Sequence, residues 1–159
     1  MVAKNKGAGF LRDTDAMDSF FDEIFSWRDS LLDGPDISVK TRIGVNDVDE
    51  FGEIMNVYNR YPISELTIHP RTRKQMYRDT PHMEAFDYAV KVSKNPLCYN
   101  GDINTKEDYE RISQKYNIES VMIGRGLIAN PQLVNEIKGG KKLTKDMLKT
   151  YHDRLYDDF

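Results

Sequence analysis

The sequence predicts an α/β protein of four parallel βα units, on three observations. Short apolar runs begin near residues 37, 64, 97 and 120, and a helical pattern follows each one. Strict alternation of strand and helix means parallel strands joined by crossovers. No GxGxxG follows the first strand, so a dinucleotide-binding Rossmann sheet loses its main support. Two architectures fit: a small doubly wound sheet, or four of the eight units of a (βα)8 barrel.

The elements follow in order. In "TDAMDSFFDEIFSWRDSLLDGP", Asp13 or Thr14 caps a helix whose Met17, Phe20, Phe21, Ile24 and Leu31 share a face, and Gly34-Pro35 stops it. The rings of Phe20, Phe21 and Phe25 read as core packing. "ISVKTRIG" alternates, with Ile37, Val39, Thr41 and Ile43 on one side and Ser38, Lys40 and Arg42 on the other. Residues 47–61 form a second helix, broken by Pro62, and "ELTIH" is the second strand. An arginine-rich loop then leads to a helix over 82–94 and to the third strand, "LCYNGD". Thr105 and Asp108 form a start signal for a helix over 106–116, and "SVMIG" is the fourth strand. Asn130-Pro131 opens a short helix that ends at Gly139-Gly140, and Thr144 begins a last one.

Composition narrows the function. The chain has 159 residues, 31% of them charged, a net charge of −3 and one cysteine. One domain's worth of core is available, and no internal disulfide is possible, so a reducing cytoplasmic setting is expected. Cys98 lies within an apolar run and reads as a buried, inert thiol. No apolar stretch nears the roughly 18 residues of a membrane helix. The three histidines are far apart and no CxxC or HExxH occurs, which argues against a metal site. The acidic balance excludes a surface coated in positive potential but leaves room for a local basic patch at Arg71 to Lys74.

Chemistry collects where the strands end. The ends carry Lys40 and Arg42, then His69 and Arg71, then Asn100-Gly101-Asp102, then Gly124-Arg125-Gly126. In a parallel α/β protein these ends lie on one face, where sites are built. Glycines there let backbone amides approach an anion, and Arg125 adds charge and donors for a phosphate.

The strings "VKTRIG", "IHPRTRKQMYRDTPHMEAF", "CYNGDI" and "VMIGRGLIANPQL" resemble, in order and spacing, the second half of the tRNA-dihydrouridine synthases. The opening "MVAKNKGAGFLRDTD" is similar to the segment after that family's Asn-x-Gly-Cys-Pro loop. The resemblance covers about residues 2 to 138. It implies the C-terminal half of a (βα)8 TIM barrel over residues 1–138. Residues 139–159 would then be a linker and the first helix of a truncated helical domain.

The resemblance also implies FMN as cofactor, NADPH or NADH as reductant and tRNA as substrate. Reduced FMN would pass hydride to uracil C6, and a cysteine would protonate C5. Lys40 would lie near the pyrimidine side of the flavin, where an ammonium stabilises the anionic reduced ring. His69 would lie beside the cofactor, near its phosphate. Asn100, Gly101 and Asp102 would hold ribityl and phosphate groups, and Gly124 with Arg125 would close the phosphate cup. Arg71 and Arg73 would face tRNA, with Lys4 and Lys6 as weaker candidates.

Departures from the family pattern set the alternatives. The proton-donor cysteine falls upstream of Met1, Cys98 matches a strand position instead, and the first four strands are missing, so the chain alone is expected to be inactive. Asp79 stands where many relatives carry glycine. Open barrel edges predict self-association. Lys40 could simply be solvated or paired with Asp102, and Asn100-Gly101-Asp102 alone is a turn signature. Two other readings stand beside the first. One is a different FMN barrel, such as a dihydroorotate dehydrogenase or an old-yellow-enzyme relative. The other is a noncatalytic remnant that binds RNA or a partner through the basic loop.

Overall fold

A computed structural model describes residues 6–158. Lys4 therefore lies outside the described residues. Four strands, β1 (Ser38–Arg42), β2 (Glu65–His69), β3 (Leu97–Asn100) and β4 (Ser120–Met122), form one parallel sheet in the order β1-β2-β3-β4. Chain order and spatial order coincide, so there is no point at which the winding reverses. A doubly wound sheet requires that reversal. The alternative remains, and the fold is part of a TIM barrel. Each of β1 and β4 has a strand partner on one side only among the described residues.

The chain divides into two compact units. The first comprises Met1–Gly101 with Ile118–Met122, and the second Asp102–Asn117 with Ile123–Phe159.

In the first unit, alternation sends one row of each strand against helices. Leu66 and Ile68 are fully buried, and Tyr99 sets its ring edge-on to Phe86 of α3 (Met83–Val92) at 5.0 Å. Helix α2 (Phe51–Tyr58) docks on β1 through a buried hydroxyl pair, in which Tyr58 donates to Thr41 Oγ1 at 2.8 Å. Burial pushes the Tyr58 phenol up to about 12, so this donor stays protonated at any ordinary pH. Helix α1 (Thr14–Asp29) starts at Asp13, whose carboxylate accepts from the Ala16 amide. Phe21 and Phe25 of α1 pack against Tyr61, and Phe21 also meets Tyr58. Phe20, expected in this core, is 45% exposed and meets Phe10 of a short 3-10 turn at Gly7–Arg12 that the sequence pattern did not reveal.

In the second unit, α4 (Lys106–Lys115) begins at a complete capping box between Thr105 and Asp108. Burial pulls the Asp108 carboxyl upward. Bonds from the Asn104 and Thr105 amides and from Arg111 outweigh it and hold the group below its ordinary value. The Gly-Arg-Gly run differs from expectation, because Arg125 opens a helix, α5 (Arg125–Ala129). A Cβ on Gly126 would overlap the Ile103 carbonyl, so this glycine serves close packing of α5. Asn130 ends α5, where its side chain accepts from Gln132 N, and α6 runs over Leu133–Ile137. Pro131 is therefore a linker between two short helices rather than a first helical residue. Helix α7 (Lys145–Asp158) has no buried residue, and Leu148, Tyr151 and Leu155 are exposed along it.

Candidate functional site

The other row of each strand builds a polar face in the first unit. The register pairs Lys40 with Thr67, Thr67 with Cys98, and Cys98 with Ser120. One step towards the carboxyl ends it pairs Arg42 with His69, and Asn100 with Met122. Alternation places both rows on the same side. At the amino end of this face the Glu65 carboxylate accepts from Thr67 Oγ1 and Ser120 Oγ. The face is thus graded from a carboxylate at one end to cations at the other. The sequence reading missed Glu65, although the alternation Glu65, Thr67, His69 in "ELTIH" carries the signal.

Lys40 lines a groove of about 310 Å³ with Phe10, Phe20, Thr41, Arg42 and Tyr58. Its ammonium is held below the ordinary lysine value by burial first and by the neighbouring Arg42 charge second. An anion placed there would relieve both penalties. Cys98 is buried and free, as its strand position implies.

The loop after β2 is held down along its length. Arg73 N bonds Gly44 O and Lys74 N bonds Val45 O, each at 2.9 Å. Arg42 reaches across to donate to the carbonyls of Thr72 and Met76, both at 2.9 Å, and its guanidinium lies 5.5 Å from the Tyr77 ring centroid. The Tyr77 ring in turn lies 5.9 Å from His69, tilted by 34°. His69 is 5% exposed. Two residues without the glycine exemption take left-handed backbone here, Met76 at φ 56° and Asp79 at φ 60°. Asp79 is the position where relatives were expected to carry glycine, and the backbone supplies the reason.

Arg71 departs from expectation. It is 1% exposed, and its guanidinium is occupied by the Asp79 carbonyl and by His69. Arg73, Lys74 and Arg78 of the same loop are exposed. Asn100 donates to Met122 O at 2.8 Å and so ties β3 to β4. A Cβ on Gly101 would overlap the Tyr99 hydroxyl, which gives that glycine a packing reason of its own.

In the second unit Arg125 and Asp102 form an ion pair at 2.6 Å, with the arginine side chain 54% exposed. Gly124 differs from its neighbours: a Cβ there would meet nothing within 4 Å. It is the one strand-end glycine with open space beside it. A separate pocket of about 330 Å³, lined by Lys106, Asn130, Glu136, Gly140 and Lys142 among others, contains none of the cofactor or tRNA residues expected from sequence. The described residues contain no cluster of metal ligands and no helix long and apolar enough to cross a membrane.

These features define a class, a parallel βα protein with cationic side chains gathered at the carboxyl ends of its strands. Comparison with known proteins supplies the particular family. The model of the dihydrouridine synthase family matches residues 2–155, and the chain belongs to that family. Among curated proteins it is 32% identical to "Probable tRNA-dihydrouridine synthase 2" of Bacillus subtilis over 133 residues, 79% of this chain and 41% of that protein. It is 36% identical to "Probable tRNA-dihydrouridine synthase" of Staphylococcus epidermidis and 38% identical to that of Staphylococcus aureus. Each match covers 104 residues, 62% of this chain and 32% or 31% of the relative. The chain thus spans less than half the length of these relatives.

Proposed function

We propose that the chain is part of a flavin-dependent tRNA-dihydrouridine synthase and carries residues for FMN and for tRNA. The observation that carries this reading is the graded polar face, whose carboxyl end gathers Lys40, Arg42 and His69 within a family named for uridine reduction. When bound, FMN with NADPH or NADH supplies the hydride chemistry.

The residues present fit such a group. Lys40 has an ammonium destabilised by burial and by Arg42, a penalty that an anionic reduced ring offsets. His69 is proposed beside the cofactor, and Asn100 and Gly101 for its ribityl chain. In the second unit, Gly124 offers unobstructed backbone and Arg125 a guanidinium for a phosphate. Asp102 bonds Arg125, and a carboxylate repels phosphate, so its proposed part is to orient that arginine. Arg73 is exposed on the basic loop and is proposed to meet the tRNA backbone. The open edges at β1 and β4 favour self-association, readable by sedimentation.

The test is a fluorescence-quenching titration of FMN with the purified chain. Weak saturable binding is expected, reduced about tenfold in Lys40→Met and in Arg125→Ala. Arg73→Ala should leave FMN affinity intact and weaken tRNA binding, with a shallower salt dependence. Equal FMN affinity for Arg125→Ala and Arg73→Ala would sink the phosphate assignment.

A further inference from the structure

Residues 139–143 do more than connect two helices. Helix α6 ends in a Schellman turn, in which the Gly140 amide donates to the Asn135 carbonyl at 2.7 Å and the Gly139 amide to the Glu136 carbonyl at 3.0 Å. Gly139 takes the left-handed backbone that this turn needs, at φ 83°. The chain then comes back to the helix it has just left. Glu136 Oε1 accepts from Asn130 Nδ2 at 3.0 Å and from the Leu143 amide at 2.9 Å. Those bonds, the Asn130 one first, hold the Glu136 carboxyl below its ordinary value. One residue on, Thr144 Oγ1 accepts from the Met147 amide at 3.2 Å and starts α7.

Packing contributes little to this corner. No residue of α7 is buried, and towards the start of α4 the corner faces the pocket of about 330 Å³ rather than a core. We infer that Glu136 is a positioning residue whose side chain ties the end of α5, at Asn130, to the start of α7, at Leu143, and makes residues 139–143 a fixed corner rather than a loose tether. One oxygen takes both donors, one from each flank of α6. The need is for an acceptor at the reach of a glutamyl chain, not for a charge. Glutamine supplies that acceptor, and aspartate, one methylene shorter, does not. The consequence for substrate rests on the tRNA reading above. A helix already held in one direction has less freedom to lose when RNA binds, so the corner favours binding without touching the ligand.

The test is a spin-label distance in the full chain, between Gln114→Cys in α4 and Thr150→Cys in α7 with Cys98→Ser, read beside amide exchange at Leu143. With Glu136 in place, one narrow distribution and a slow Leu143 amide are expected. Glu136→Ala and Glu136→Asp should broaden the distribution and speed Leu143 exchange about tenfold, whereas Glu136→Gln should match the parent. Exchange at Ile112 in α4 should stay unchanged in all three, which separates local release from a general loss of stability. A broad distribution in the parent overturns the inference, as does a narrow one in both Glu136→Ala and Glu136→Asp, or a broad one in Glu136→Gln. Should Glu136→Ala fail to fold, Glu136→Asp decides. A tRNA-binding titration separates the two readings. Glu136→Asp should bind tRNA about threefold more weakly with FMN affinity unchanged. A fixed corner in a parent chain that binds no tRNA defeats the tRNA reading and leaves the role of Glu136 standing. Undiminished tRNA affinity with the corner released defeats the consequence for substrate and leaves the tRNA reading.

Discussion

Two arginines follow strand ends in this molecule, and their surroundings assign them opposite work. Arg71, after β2, is 1% exposed and bonds a backbone carbonyl and a histidine. Arg125, after β4, is more than half exposed and pairs with the carboxylate of Asp102. The first arginine holds a shape, and the second presents a charge. Strand-end position alone does not distinguish them, because what matters is whether the following segment folds back over the guanidinium. After β2 it does, through the backbone bonds of Arg73 and Lys74 to Gly44 and Val45. After β4 the chain turns at once into α5.

The largest effect that would break this contrast is at Arg71. Arg71→Leu strands the Asp79 carbonyl and His69 Nε2 together, and a loss of about 3 kcal/mol is expected by urea denaturation. A loss no greater than that of an exposed arginine would erase the distinction. A smaller effect of opposite sign is expected at the residue Arg71 pins. Asp79→Gly removes the left-handed penalty while keeping the carbonyl, and should raise stability by about 1 kcal/mol in the same measurement. The smallest belongs to Arg125. Arg125→Ala removes an exposed ion pair and should change stability by less than about 0.5 kcal/mol, while FMN affinity falls as stated above.

Much of the fold was legible because its signals are local. Alternation in "ISVKTRIG" and "ELTIH" marked strands, and Asp13, Thr105 and Asp108 marked helix starts through side chains that reach only three residues. The burial of Arg71 was not legible, because an arginine in a loop is ordinarily solvated and its partners depend on how residues 72–79 fold back. Helix α5 was hidden by glycines at 124 and 126, whose helix-breaking tendency outweighs a five-residue apolar signal. Phe20 followed the helical period of its neighbours yet faces Phe10, since period does not say where the buried stripe ends. At the site, the residue types were readable, but the division of labour among them depends on tertiary contacts. Asn100 and Gly101 have packing duties beside any ligand role, and Arg42 straps a loop 30 residues away.

The coincidence of chain order and spatial order in the sheet bears on how the molecule is made. Each of β2, β3 and β4 finds its neighbour in the strand synthesised just before it, so each new pairing closes only a short loop. Assembly can then proceed by accretion during translation. From β2 to β4 the newest strand forms the growing edge. The strained turn at Met76 and Asp79 would set only after β2 has docked, because the Arg42 that straps Met76 arrives first and waits at the preceding strand.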